Sequence, residues 1–157
     1  MLAAELAQYI HTYIPLSKAM GVSVLAIEQN SVTLQAPLEP NINHRQSVFG
    51  GSASALAILA GWALLHARLQ TDGVSSRLVI QRNTMEYTQP ILGPFTARST
   101  LEFPERWAQF RATLARRGKA RVTVLAVLEH ANQVVGRFTG QFVALGAKAG
   151  KLENGGS

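Results

Sequence analysis

The chain has no cysteine. That excludes disulfides, thiolate nucleophiles and cysteine zinc sites together, and it fits a reducing compartment. Charge is scarce as well: Asp, Glu, Lys and Arg make up 15% of the 157 residues. So low a share predicts that some surface is covered by another subunit. Acids are the scarcer sign, nine against fifteen bases, and none falls between Glu39 and Asp72. Long apolar runs are missing too. The most hydrophobic stretch, Ala53 to Leu65, contains Ser54 and Gly61, whereas a membrane span needs about 20 apolar residues. The first residues carry neither the basic start nor the unbroken apolar core of a secretion signal. A cytoplasmic protein with no membrane association is the expectation. The scattered His11, His66 and His130 suggest no metal site.

What is present is a core-sized apolar fraction, 47% of the chain, enough for one domain. Residues 2–14 read as an amphipathic helix, with Leu2, Leu6, Tyr9, Ile10 and Tyr13 on one side and Pro15 ending it. Val22 to Ile27 reads as a strand. Val32, Leu34, Ala36 and Leu38 alternate with polar residues as the next. Gly51 to Gln70 reads as a long helix that is apolar nearly all round, so it must be covered nearly all round. Strands follow over Val79 to Thr88 and Phe95 to Phe103. A short helix opens at Pro104 and ends at Gly118, and strands at 122–128 and 134–142 are joined by Ala131-Asn132. One antiparallel sheet curled around one long helix satisfies this order, an α+β domain over residues 1–146. Residues 147–157 read as a disordered tail.

Between the second strand and the long helix lies Pro40-Asn41-Ile42-Asn43-His44-Arg45-Gln46-Ser47-Val48-Phe49-Gly50-Gly51-Ser52-Ala53. A diglycine before a helix allows close backbone approach, and the first turn of a helix carries unpaired N–H donors at a positive dipole end. Those donors suit a developing oxyanion. Ser52 and Ser54 have no placeable base, so a serine-nucleophile triad is not expected. Further on, Arg106, Arg111, Arg116, Arg117, Lys119 and Arg121 fall in sixteen residues without an acid. Such a cluster attracts an anionic partner, or is simply a solvated helix face. No nucleic-acid motif accompanies it, and nucleic acid is not expected.

The element order, the segment "PNINHRQSVFGGSASAL", the Gly61-Trp62 pair and "RRGKARV" at 116–122 resemble the hot-dog fold. They resemble in particular the stand-alone relatives of a thioesterase-labelled domain otherwise fused to an acetyltransferase, a group that includes malonyl-acyl-carrier-protein decarboxylases. The resemblance covers about residues 5–145. It implies a homodimer, or a dimer of dimers, whose sheets join edge to edge with the site between subunits. It needs no cofactor. It places the catalytic asparagine at Asn43, with Asn41 second. Asn43, Gly50 and Gly51 are then the catalytic candidates. Asn41, His44, Arg45, Ser47, Phe49 and Ser52 are candidates for substrate binding. Arg106, Arg111, Arg116, Arg117 and Lys119 would dock an acidic acyl carrier protein, or the chain would take a coenzyme A thioester.

Many hot-dog thioesterases carry an Asp or Glu about two turns into the long helix, and Ile58 stands there in this chain. General-base help is worth about 10²–10⁴-fold in rate, so hydrolysis is handicapped without it. Decarboxylation of a malonyl thioester needs no base. It needs an oxyanion site, a fixed geometry and apolar surroundings for the carboxylate. The expected activity is therefore malonyl-carrier decarboxylation, which could prime fatty-acid synthesis. The alternatives are a thioesterase using Asn43, His44 or a strand carboxylate such as Glu86, and a non-catalytic acyl-thioester binding module.

Overall fold

The structure is a computed structural model, and it describes residues 1–146. The expected tail at 147–157 lies outside the described residues. The chain opens with α1 (Ala3–Tyr13) and a short α2 (Pro15–Ala19). Two strands follow, β1 (Ser23–Ile27) and β2 (Ser31–Ala36). The long helix is α3 (Gly50–Thr71). Then come β3 (Ser76–Tyr87), β4 (Phe95–Leu101), α4 (Trp107–Arg117), β5 (Lys119–His130) and β6 (Gln133–Gly146). Pro15 lies beyond the end of α1 at Tyr13, as the sequence suggested. It occupies the first turn of α2, where its missing N–H costs nothing.

All six strands form one antiparallel sheet in the order β1-β2-β4-β5-β6-β3. β3 is therefore an edge strand, paired with β6 from Ser76↔Gly146 to Tyr87↔Gly136. In β4 every second side chain (Phe95, Ala97, Ser99, Leu101) is buried, the period of a strand with one covered face. β5 and β6 are longer than their alternation showed, and a two-residue turn at Ala131 and Asn132, both with positive φ, closes them into one hairpin.

The sheet covers α3. By length and composition α3 could cross a membrane, yet Leu56, Ala57, Ala60, Ala63, Leu64 and Leu65 are completely buried in the core of this domain. Gly61 explains half of its Gly-Trp pair: a Cβ there would lie 3.1 Å from the Phe142 ring and 3.3 Å from Val124. Glycine lets the helix lie that close to the sheet. Beneath it the buried Ser99 hydroxyl donates to the carbonyls of Ala60 (2.7 Å) and Val32 (3.2 Å). On its other side α3 meets α1. His66 stacks on Trp62 with ring centroids 4.7 Å apart and meets the Tyr9 ring at a tilt, 4.4 Å away.

Candidate active site

The loop between β2 and α3 is a compact turn held by Asn43. Ile42 and Val48 form an isolated antiparallel bridge. Within it the N–H of Asn43 donates to the Ser47 carbonyl (2.8 Å), and the N–H of Gln46 donates to the Asn43 carbonyl (3.2 Å). The side chain completes the turn. Its Oδ1 accepts from the N–H groups of Arg45 (2.8 Å) and Ser47 (3.1 Å), and its Nδ2 donates to Ser47 Oγ (3.0 Å). This is an asparagine turn, with Gln46 left-handed at φ 63°. Asn43 is half-buried, and the orientation of its amide is fixed. Nδ2 has two hydrogens, and one acceptor is present for them among the described residues.

Asn41 has a different place. It is 2% exposed, and its Nδ2 donates to the carbonyls of Met20 (2.9 Å) and Pro37 (2.8 Å). Its own carbonyl accepts the N–H of Phe49 at 2.7 Å. Asn41 thus ties the end of α2, the end of β2 and the residue capping α3 into one unit. Its Oδ1 is buried without a partner.

α3 begins on Phe49 with no side-chain cap. Ser52 and Ala53 donate to the Phe49 carbonyl. The N–H groups of Gly50 and Gly51 have no acceptor among the described residues, as expected at a helix start. Neither glycine has positive φ, and of the two Gly51 alone is short of space. A Cβ on Gly51 would run into the Phe49 ring, and a Cβ on Gly50 would sit 3.5 Å from the Tyr87 ring. His44 and Arg45 are exposed, Phe49 is 59% exposed, and Ser52 is half-buried.

Two hollows flank the first turns of α3. The first, about 360 Å³, lies between Ser47, Gly50 and Ala53 on one side and Met85, Tyr87 and Ile91 on the other. The second, about 310 Å³, runs beside Ala55, Ile58, Leu59 and Trp62. Its opposite wall is Leu16 and Met20 at α2, and its floor is Ile80 and Phe142. Gly51, Ala55, Ile58 and Trp62 share one face of the helix, at the spacing of successive turns. No Asp, Glu, Lys, Arg or His among the described residues lines either hollow. Of the sequence candidates, Gly50 and Ser47 line the first; Gly51, Asn41, Asn43, His44, Arg45, Phe49 and Ser52 line neither. The walls from β3 and α2 were missed in the sequence. The inward alternation of Met85 and Tyr87 was the available signal.

The basic segment divides in two. Arg111 faces the C-terminal end of α3, where it pairs with Asp72 at 3.4 Å beside the Trp107 Nε1–H donor (2.8 Å to the same carboxylate). That engagement sets it apart from the rest of the expected docking cluster. Arg106 lies over the Phe103 ring at 4.4 Å. Arg106 and Arg121 rim a separate recess of about 270 Å³ between α4 and β5. Arg116, Arg117 and Lys119 are exposed nearby.

A single antiparallel sheet wrapped on one long helix, with free amides and apolar hollows at that helix's start, is a hot-dog fold of the thioester-acting class. The family model described as "Putative thioesterase (yiiD_Cterm)" matches residues 3–146, and the chain belongs to that family. Among solved structures it is similar to a protein of unknown function from Chlorobaculum tepidum (29% identity, TM-score 0.85, covering 92% of this chain and 94% of that one). It is also similar to one titled a putative thioesterase from Shewanella oneidensis (24%, TM-score 0.81, 91% and 96%). A third, from Pseudomonas aeruginosa and titled a probable thioesterase, shares 23% identity with a TM-score of 0.77, over 92% and 97% of the two chains. The latter two likenesses speak to the fold.

Proposed function

We propose that this protein decarboxylates a malonyl thioester carried on an acyl carrier protein, giving the acetyl thioester. The observation that carries the reading is that no carboxylate or histidine among the described residues lines the two hollows beside free amides, with Ile58 where the resemblance sets a catalytic acid. The C–C bond to the malonyl carboxylate breaks, and its electron pair passes into the thioester carbonyl to give an enolate. CO₂ leaves, and a proton from water returns to the carbon. The Gly50 and Gly51 N–H groups supply the oxyanion site, where one such donor is typically worth about 10²–10³ in turnover. The spare Nδ2 hydrogen of Asn43 adds a third donor, held in position by its turn. The groove of Ala55, Ile58 and Trp62 keeps water from the carboxylate, which favours its loss as neutral CO₂.

Hydrolysis is the competing reading. It finds no base lining either hollow among the described residues. Glu86 is exposed and sits opposite Arg137 across β6, on the face of β3 turned away from Met85 and Tyr87. The partners follow from the same reading: an acidic carrier attracted by the α4–β5 cations, and a second copy of this chain. Incubation with malonyl-, acetyl- and long-chain acyl-carrier, followed by mass measurement of the products, tests the proposal. Acetyl-carrier from the malonyl substrate supports it. Free carrier would make the protein a hydrolase, and unchanged substrates would make it a binder.

A further inference from the structure

The recess between α4 and β5 lies at the far end of α3 from the free amides. Trp107, in its wall, donates to Asp72 at the C-terminal end of that helix (2.8 Å). α3 is 22 residues long, so Gly50 is roughly 33 Å from that end at 1.5 Å per residue. The recess is therefore separate from both hollows of the candidate site. Its depth is apolar: Leu101, Trp107 and Phe110 are buried, and Val122 is half-buried. Its lip is cationic, formed by the exposed Arg106 and Arg121.

The chain does not neutralise these two cations. No acid occurs from Arg106 to Leu128. Arg111 pairs with Asp72 at 3.4 Å, whereas Arg106 and Arg121 have no carboxylate partner among the described residues. Arg106 lies over the Phe103 ring, 4.4 Å from the centroid. That contact holds the guanidinium at the lip and leaves its N–H donors for a ligand. The main chain adds a donor. β4 ends at Leu101, and the N–H of Glu102 donates to the Thr123 carbonyl (3.1 Å). Main-chain groups of a strand turn alternately to its two sides. Arg121, two residues before Thr123 on β5, therefore turns its N–H to the same side, past the end of β4.

An anion with an apolar body fits such a recess. At the ~30 Å³ that a water takes in the liquid, about 270 Å³ holds roughly nine groups of that size, close to octanoate. Two of the rings already carry a guanidinium on one face: Arg106 on Phe103 and Arg68 on Trp107, both at 4.4 Å. A flexible alkyl chain therefore suits the space better than a flat ring that needs a stacking face. We propose that the recess binds a medium-chain fatty carboxylate. Its chain lies against Leu101, Trp107, Phe110 and Val122, and its carboxylate lies between Arg106 and Arg121. Resting on the carrier reading above, the bound carboxylate cancels charge in the cluster that attracts the acidic carrier. It therefore raises KM for malonyl-carrier and leaves kcat unchanged, because it does not touch the site.

Titration calorimetry with octanoate at alkaline pH, where its carboxyl is ionised, tests the site without any substrate. One octanoate should bind per chain. Affinity should rise roughly fourfold per methylene from hexanoate to octanoate and level off by dodecanoate, which outgrows the recess. Octanol, with the same body and no charge, should bind at least tenfold more weakly. Arg106→Gln with Arg121→Gln should weaken octanoate at least tenfold, and both side chains are exposed, so the fold should persist. Ile58→Asp, which puts an anion in the groove beside α3, should leave octanoate binding unchanged. No binding at millimolar octanoate would overturn the inference and leave the recess a carrier-docking surface. Wild-type affinity in the double arginine variant, or loss of binding in Ile58→Asp, would place the fatty chain in the groove and overturn it as well. If octanoate binds as described and KM for malonyl-carrier does not move, the carrier reading fails and the fatty-carboxylate site stands.

Discussion

At the residue scale, Asn43 carries two roles that one pair of substitutions separates. Its Oδ1 holds the turn and its Nδ2 is the proposed donor. Asn43→Ala removes both, and turnover of malonyl-carrier should fall about 10²–10³-fold. Asn43→Asp keeps the acceptor for the Arg45 and Ser47 amides, so the loop should persist, but it removes the donor and adds an anion beside the substrate carboxylate. It should be at least as inactive as the alanine variant. If the Asp variant works at the wild-type rate, Asn43 only shapes the loop. The asparagine itself was legible in the sequence. Its hydrogen-bond partners were not, because they depend on Gln46 taking a left-handed conformation that few residues adopt. His66 gives a second residue-level prediction. Burial against Tyr9 and Trp62 lowers its pKa below 6.5, and its Nε2 has no partner. The folded state thus binds fewer protons than the unfolded state, and stability falls as pH drops through 6.5 and below. Melting temperature should decline on acidification over that range, and His66→Phe should flatten the decline. An unchanged slope in the variant would place the acid sensitivity elsewhere.

At the element scale, α3 was readable almost residue by residue, because an apolar circumference demands burial whatever covers it. β4 was readable for a related reason, its strict alternation. The ends of β5 and β6 were not, since cross-strand pairing extends them past the residues whose polarity alternates. The loop and the diglycine were visible as a unit. The hollows were not, because their walls come from β3 and α2, far from the loop in sequence. Ile58 belongs to this scale, since its effect comes from its place along the helix face. Ile58→Asp puts a carboxylate where the substrate's own would lie. Decarboxylation should fall at least tenfold, and hydrolysis of uncharged acyl thioesters should rise, because a base now faces a bound water. The side chain is only half-buried, so the variant should fold, which circular dichroism can check. Undiminished decarboxylation in the folded variant would remove the groove from the reaction.

At the scale of the whole molecule, the proposed second copy rests on the low charge content and on the β3 edge. Light scattering should give about twice the 17.0 kDa chain mass. A monomer at micromolar concentration would contradict it. Carrier affinity should weaken with salt, since exposed charges are screened beyond about 8 Å at physiological ionic strength. Charge reversal at Arg116 and Arg117 should chiefly slow association. Salt-independent binding would reduce the cluster to a solvated face. The most direct test follows the malonyl carboxylate itself. With an isotope label in that carboxylate, labelled CO₂ and carrier-bound acetyl should appear together, one for one, with no free carrier thiol. Release of free thiol with the label still in malonate would contradict decarboxylation and make the protein a hydrolase.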